Sequence, residues 1–158
     1  MNSSIEFFVP GLAAPGGSKK FVGFAKATGH AILVDDAGKK NKNWRQIVSV
    51  LGLQNRPPEL FNDAIEVAFL FIMPRPKAHF RTGKFAHEMR EDAPLFHTKK
   101  PDVLKLSRST EDALTNVIWT DDSITSVLHA KKVYGDFPGC HIFVKDLKSR
   151  DKIPAIFL

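Results

Sequence analysis

Apolar residues recur at helical spacing in two stretches of the chain. In the first, Trp44, Ile47, Val48 and Leu51 stand at i, i+3, i+4 and i+7, which predicts an amphipathic helix over residues 43–51. Gly52 follows and is the expected helix stop. In the second, over residues 102–116, an apolar stripe runs along one helix face and consists of Val103, Leu106, Thr110, Ala113 and Leu114. The pattern therefore predicts two main helices.

The other apolar segments have the length and composition of strands. Residues 64–73 are rich in β-branched and aromatic side chains, which favours a strand largely covered on both faces. The remaining predicted strands are residues 5–9, the pair 21–24 and 31–34 around a turn at Thr28-Gly29, and residues 123–134 and 141–144. This order of elements predicts an α+β fold, in which a mixed β-sheet and two main helices form a single domain.

Composition narrows the class of protein. The chain has 158 residues, of which 43% are hydrophobic and 25% charged, and this fits one soluble globular domain. Cys140 is the sole cysteine, which excludes an internal disulfide and a multi-cysteine zinc site. The longest clean apolar run, Val67 to Met73, is too short to cross a membrane. The first residues, MNSSIEFFVPG, lack the positive charge and apolar stretch of a secretory leader, so we expect a cytoplasmic protein.

The net charge of +6 points toward an anionic partner. Such charge provides the salt-sensitive, sequence-independent part of nucleic-acid affinity, although a solvated basic surface explains it equally well. Residues 75–100 carry seven Lys or Arg against three acidic residues, and they are long, polar and weakly periodic. A loop of that length is usually functional or disordered. We interpret it as a mobile basic arm that closes over DNA, with a plain disordered insertion as the alternative.

The domain is expected to span residues 1–146, and the tail at residues 147–158 has no assignment. Within that domain, carboxylates flank the second predicted helix. Asp102 stands at its start, directly after Pro101, and the Asp121-Asp122 pair follows about twenty residues later, beyond a short apolar run. Carboxylates brought together in this way form a hard oxygen site that suits Mg²⁺. In a basic chain, the pattern indicates metal-dependent chemistry on nucleic-acid phosphates. The plainer interpretations are an ordinary helix N-cap at Asp102 and a turn at Asp121-Asp122.

The segment around these carboxylates resembles a family motif. Residues 98–122 read TKKPDVLKLSRSTEDALTNVIWTDD. The RusA-type Holliday-junction resolvases of bacteria and phages carry roughly KPD-x-D-x-L-x-K/R-xxx-DAL, followed by an apolar stretch and DD. The resemblance implies a RusA-like domain and an endodeoxyribonuclease, dependent on Mg²⁺ or alternatively Mn²⁺, that resolves four-way DNA junctions by paired symmetric nicks. It also implies a homodimer that binds branched DNA in DNA recombination and DNA repair, within a bacterial cell or a phage-infected host.

The resemblance also implies roles for individual residues. Asp102 matches the family's first metal-binding carboxylate, and Asp122 matches the ligand in the DD pair. Asp121 is expected to assist the metal or to brace the turn. Arg108 stands where the family has a Lys or Arg near the metal, and a cation there would stabilise charge on the transition state. The plainer interpretation of Arg108 is a solvent-facing helix charge.

The chain departs from the family pattern at Leu104. The family has a second carboxylate there, and a leucine cannot bind Mg²⁺. Glu111 lies seven residues further along the helix, about 20° away around the axis and roughly 10 Å along it. Because a glutamate side chain leans toward the helix start, our hypothesis is that Glu111 replaces the missing carboxylate as a catalytic metal ligand. The alternative is that Glu111 pairs with Arg108 and that the site has lost a ligand.

Basic residues around the motif are predicted to contact DNA phosphates. His97, Lys99 and Lys100 precede Asp102, and Lys105 lies one helical turn after it. The other predicted contacts are Lys19, Lys20, Arg81 and Lys84. Two alternative functions stay open: a junction-binding protein whose catalytic site has decayed at Leu104, and a nuclease for other branched or flap DNA.

Overall fold

The computed structural model describes residues 4–16, 19–24, 31–35 and 38–147, with side chains described for 4–16 and 38–147. The strands and helices are, in chain order, β1 (Ser4–Pro10), β2 (Lys19–Phe24), β3 (Ala31–Asp35), α1 (Gly38–Gln54), β4 (Ile65–Pro74), α2 (Val103–Leu114), β5 (Thr125–Gly135) and β6 (Gly139–Asp146). The predicted turn at Thr28-Gly29 and the tail after residue 147 lie outside the described residues.

Four of the strands form one mixed sheet in the order β1-β6-β4-β5. β4 and β5 are parallel, whereas β6 is antiparallel to both β1 and β4. β2 and β3 pair with each other as a separate antiparallel ribbon. The predicted α+β fold, with a mixed sheet and two main helices, is confirmed.

One face of the sheet is buried against the helices. Along β4 the side chains alternate between buried positions, such as Phe69 and Phe71, and half-buried ones, such as Leu70. The strand is therefore fully buried on one face and partly covered on the other. The core on the covered side includes Trp44 and Val48 of α1 and Leu106 and Leu114 of α2. No helix among the described residues is long and apolar enough to span a membrane.

α1 is longer than the predicted helix at both ends. It begins at Gly38. The apolar pattern does not predict this start, because the buried position in the first turns of the helix is filled by the polar residue Asn41. Gly52 lies inside the helix, where a Cβ would stand 2.9 Å from Cδ2 of Leu114. The prediction that Gly52 stops the helix is wrong. Its missing side chain instead lets α1 approach α2 closely.

Asn41 connects α1, α2 and the loop that follows β1. Its side chain is 3% exposed. Nδ2 donates to the carbonyl oxygen of Pro15 at 2.9 Å and to Oγ of Ser109 at 2.6 Å. One turn later, Nε1 of Trp44 donates to Oγ1 of Thr110 at 3.1 Å. These buried polar contacts fix the position of α2 relative to α1.

Asn41→Ala is expected to lower the free energy of unfolding by about 2 kcal/mol, because it leaves buried acceptors without a donor. In a chain of this size the Tm would fall by roughly 4–8 °C. Thermal denaturation followed by circular dichroism measures the change. Asn43→Ala is the matched control, since Asn43 is an exposed asparagine on the same helix. Equal Tm values for the two variants would contradict this account of the helix contact.

Residues 75–100 run beside β5 and contain two short 3-10 turns, Lys77–His79 and Gly83–Phe85. The last part of the segment follows the edge of β5, where the backbone N–H of Tyr134 donates to Leu95 and that of His97 donates to Lys132. Nη1 of Arg75 donates to the carbonyl oxygen of Pro94 at 2.9 Å. Both ends of the segment are therefore held by hydrogen bonds. The interpretation of the whole segment as a mobile arm stays a prediction.

Candidate active site

Asp102 occupies the N-cap position of α2 but does not act as a side-chain cap. Its backbone is extended, with φ −70° and ψ 141°, and its side chain makes no capping hydrogen bond. The carboxylate is 64% exposed and lies 3.9 Å from Nζ of Lys105. The plainer interpretation, an aspartate used to cap the helix, does not describe this side chain. The carboxylate is accessible to a ligand instead.

Asp121 and Asp122 have different surroundings. Oδ1 of Asp121 accepts a hydrogen bond from the backbone N–H of Ser123 at 2.9 Å. Hydrogen bonding by Ser123 lowers the pKa of Asp121 below its ordinary value. Asp122 begins a short 3-10 turn, Asp122–Ile124, that leads into β5, and its side chain is exposed. This hydrogen bond favours the predicted bracing role for Asp121 and leaves Asp122 as the ligand candidate.

Glu111 lies near Asp122. Burial raises the pKa of Glu111 above its ordinary value, and the negative charges of Asp122 and Asp112 raise it further. The hydroxyl of Thr125 opposes this shift, although within the described residues its Oγ1 is buried and makes no hydrogen bond of standard geometry. Glu111 is half-buried. The end of α2 and the start of β5 thus place Glu111, Asp122 and the Thr125 hydroxyl within electrostatic reach of one another.

Asp112 is oriented toward α1. One of its carboxylate oxygens lies 4.0 Å from Nη1 of Arg45. Both side chains are largely exposed, so the pair contributes little to stability. Arg45 therefore offsets part of the negative charge that Asp112 places near Glu111.

Leu104 and Arg108 lie on the same face of α2 as Glu111, because the three positions are spaced i, i+4 and i+7. Leu104 is 72% exposed, an unusual environment for a leucine. Arg108 is exposed as well. A carboxylate at position 104 would therefore stand on the helix face that carries Glu111, without disturbing the core.

The carboxylates do not gather into one compact cluster. Among residues 4–16 and 38–147, no group of three or more His, Cys, Asp and Glu side chains is close enough to hold a metal ion. Asp102 and Glu111 are nine residues apart, about 13 Å of helical rise. Mg²⁺–oxygen bonds are only about 2 Å long, so these two side chains do not share an ion. The described residues bring together Glu111 and Asp122, and they leave Asp102 at the other end of α2.

The Glu111–Asp122 pair is chemically suited to Mg²⁺. Both donors are carboxylate oxygens, which hard cations prefer. Mg²⁺ is commonly held by only one or two carboxylates, with waters and substrate phosphates completing its octahedron. A cation would also offset the mutual repulsion that raises the pKa of Glu111. The donor chemistry of these two carboxylates therefore suits a hard cation whose remaining ligands are waters and a phosphate.

A cleft of about 860 Å³ opens beside Asp102, between the loop after β1, α1 and the start of α2. Its apolar wall includes Leu12, Trp44, Ile47 and Met73. Its polar lining includes Lys40, His97, Lys100, Asp102 and Lys105. Three of the predicted phosphate contacts, His97, Lys100 and Lys105, thus line one cleft together with the first predicted ligand.

Among the residues whose side chains the structure describes, Arg81, Lys84 and Lys99 lie outside that lining. Arg81 forms an ion pair with Glu88 and stacks over Phe85, and Nζ of Lys84 lies 4.9 Å from the centre of the same ring. Lys99 is exposed. Lys19 and Lys20 belong to β2, but their side chains lie outside the described residues.

His97 is packed against Tyr134, with the ring centres 4.7 Å apart. Burial, aided by the charge of Lys132, lowers the pKa of His97 below its ordinary value. The ring is therefore neutral at neutral pH. His97 can contribute a hydrogen bond to a phosphate but little positive charge.

A comparison with protein families settles the class of this chain. The family model for Endodeoxyribonuclease RusA matches residues 23–145. The chain belongs to the RusA family. Membership implies an endonuclease that resolves Holliday junctions and a partner that is branched DNA. An uncharacterized protein of Bacillus subtilis (strain 168), YqaN, is 27% identical over 110 residues, which cover 70% of this chain and 77% of that protein.

The sequence pattern predicts no role for Lys132, whose side chain contacts the segment directly before Asp102. Nζ of Lys132 donates to the carbonyl oxygens of Lys99 and Pro101, each at 2.6 Å. Burial lowers the pKa of Lys132 below its ordinary value, and the nearby charge of Asp102 opposes that shift. The available signal was the two-residue spacing to Tyr134, which puts Lys132 on the same strand face as a large aromatic side chain.

Proposed function

We propose that this chain is a Mg²⁺-dependent, structure-selective endodeoxyribonuclease that resolves four-way DNA junctions by paired symmetric nicks. Mn²⁺ would serve as an alternative ion. The observation that carries the proposal is the exposed Asp102 carboxylate beside a cleft lined by lysines. Glu111 and Asp122, which interact electrostatically, would supply further carboxylates although Leu104 stands where the family has its second one. Family membership supplies the substrate class, which is branched DNA.

In this proposal the carboxylates divide into two positions along α2. Asp122 and Glu111 would hold one ion, and Asp102 would offer a carboxylate ligand at the cleft. A bound divalent cation would supply Lewis acidity toward a water nucleophile and toward the charge on the leaving oxygen. Asp121 braces the turn that carries Asp122. Arg108 adds a fixed positive charge that stabilises the phosphate in the transition state.

The cleft beside Asp102 supports a path for one DNA strand. Lys100 and Lys105 lie on its lining, where they neutralise backbone phosphates. Resolution needs two nicks on opposed strands, so we propose a two-fold homodimer that presents one site to each strand. DNA recombination or DNA repair, in a bacterial cell or a phage-infected host, is the proposed setting.

The substrate class is tested by competition for a labelled four-way junction in EDTA, which prevents cleavage. Unlabelled junction is expected to compete at least about tenfold better than plain duplex. The reason is that the protein would recognise the branched shape of the DNA in addition to the charge of its phosphates. Equal competition by a flap would favour a nuclease for other branched DNA. Equal competition by duplex would contradict a junction-selective protein.

Lys100→Ala is expected to weaken junction binding about three- to tenfold and to reduce the salt slope of log K by about 1, because it removes one phosphate contact. Lys131→Ala is the matched control, since Lys131 is exposed on β5 and lies outside the cleft lining. Fluorescence anisotropy at several salt concentrations measures both quantities. If the two variants had equal junction affinities and equal salt slopes, the proposal that DNA passes through the cleft would be contradicted.

One observation favours a second candidate function. The described residues contain no group of three metal-ligating side chains, and Leu104 presents an apolar surface to solvent. A junction-binding protein without cleavage activity would have these features. It would bind the junction as tightly in Mg²⁺ as in EDTA and leave every strand intact.

A further inference from the structure

Lys132 has an environment that is unusual for a lysine in a strand. In the parallel register of β4 and β5 it stands opposite Phe71, and Tyr134 stands opposite Met73. Phe71, Met73 and Tyr134 are all buried, so Lys132 points toward the covered face of the sheet. Lys131 points the other way and is exposed. The two adjacent lysines therefore differ in environment while sharing the same chemistry.

The ammonium group of Lys132 holds the segment that leads into Asp102. Two of its three N–H donors are used on the carbonyl oxygens of Lys99 and Pro101. The backbone carbonyl of the same residue accepts from the N–H of His97 at 3.1 Å. Lys132 thus contacts residues 97, 99 and 101, immediately before the exposed carboxylate of Asp102. Residues 97–101 have no helix or strand of their own that could hold them in place.

A lysine suits this role for chemical reasons. Two carbonyl oxygens that converge on one point need a compact donor with several N–H groups, and an ammonium provides this. A methionine has a similar length but no donor, so it would leave both carbonyls without their partner. The Asp102 carboxylate is also near enough to interact electrostatically with the ammonium. Lys132 therefore influences both the path of the backbone and the charge next to Asp102.

We propose that Lys132 is a positioning residue, which fixes residues 99–101 by hydrogen bonds and thereby holds the Asp102 carboxylate at the cleft. This inference rests on the proposed function of Asp102. Lys132 itself does not touch the reacting phosphate. Small displacements of a catalytic group reduce turnover by about a hundredfold, so loss of the two hydrogen bonds should affect the rate far more than junction binding.

The test compares Lys132→Met with Lys131→Met in the full chain. Hydrogen exchange of peptides covering residues 97–106, which needs no metal and no substrate, should become at least about tenfold faster in Lys132→Met and stay unchanged in Lys131→Met. Under saturating junction, kcat should fall about a hundredfold in Lys132→Met, with the junction Kd within about threefold of the wild type. Lys131→Met should match the wild type in all three measurements.

Lys132→Arg keeps the charge and the donors and serves as the second variant if Lys132→Met folds poorly. It is expected to restore protection of residues 97–106 and to bring kcat within about tenfold of the wild type. Unchanged exchange in a folded Lys132→Met variant would overturn the inference. So would normal exchange combined with lost cleavage, since Lys132 would then act directly on the substrate. A wild type that protects residues 97–106 but cleaves no junction would refute the proposed function, while the exchange result would still decide the positioning role.

Discussion

Asp122→Asn is expected to reduce Mg²⁺-dependent cleavage of a four-way junction by about 10²–10³-fold, the effect of losing one strong electrostatic contact in the transition state. The amide keeps the shape of the side chain but lacks the negative charge that binds a hard cation. Junction affinity measured in EDTA should stay within about threefold, because no phosphate contact is lost. Single-turnover cleavage of an end-labelled junction measures the rate.

Asp121→Asn is the matched control, because the same chemical change is made one residue away. Asp121 uses Oδ1 to accept from the N–H of Ser123, and an asparagine oxygen can accept that hydrogen bond as well. Cleavage by this variant should stay within about tenfold of the wild type. If Asp121→Asn were the inactive variant and Asp122→Asn the active one, the assignment of the ligand within the pair would be reversed.

Glu111→Gln is expected to lower the cleavage rate by about 10²-fold, because the chain then lacks a carboxylate next to Asp122. Leu104→Asp should not recover that loss in the double variant, because seven residues of helix separate position 104 from Glu111 by about 10 Å, too far to reach the same ion. Position 104 is 72% exposed, so the substitution removes no core packing. Full activity in Glu111→Gln would exclude Glu111 as the replacement ligand.

The single variant Glu111→Gln should also be more stable than the wild type in EDTA at neutral pH. The folded-state pKa of Glu111 is raised by burial and by neighbouring carboxylates, so the ionised side chain destabilises the fold. That cost is absent below the ordinary pKa of glutamate and fully present above the raised pKa. After solvent screening, a gain of a few tenths of a kcal/mol is expected near pH 7, vanishing near pH 4. Urea unfolding at both pH values measures it, and a gain that grows toward low pH would contradict the explanation.

The elements with a clear local pattern were predictable from the sequence. The stripe from Leu106 to Leu114 defined α2, and the run of β-branched and aromatic residues defined β4. The start of α1 was missed because Asn41 is buried through hydrogen bonds, which no hydrophobic period reveals. The sequence predicts a helix end at Gly52 because glycine often stands there, whereas in the structure Gly52 allows two helices to pack closely.

The candidate site was predictable only where its residues are neighbours in the sequence. Asp102 and the Asp121-Asp122 pair were identified because they flank one helix in a recognisable motif. Lys132 comes from β5, and its contacts depend on how that strand lies beside the segment before α2. A single sequence gives neither the order of strands nor the register that turns Lys132 inward. Glu111 interacts electrostatically with Asp122 at the far end of α2 from Asp102, and its role as a ligand stays a prediction.

The central claim is metal-dependent resolution of a four-way junction by this chain. The most direct measurement is to incubate the protein with an end-labelled synthetic junction, in Mg²⁺ and in EDTA, and to map the nicks on each strand. We expect symmetric nicks on two opposed strands in Mg²⁺ and intact strands in EDTA. Tight junction binding without cleavage in either Mg²⁺ or Mn²⁺ would contradict the claim, and would mean that Glu111 does not compensate for the carboxylate missing at Leu104.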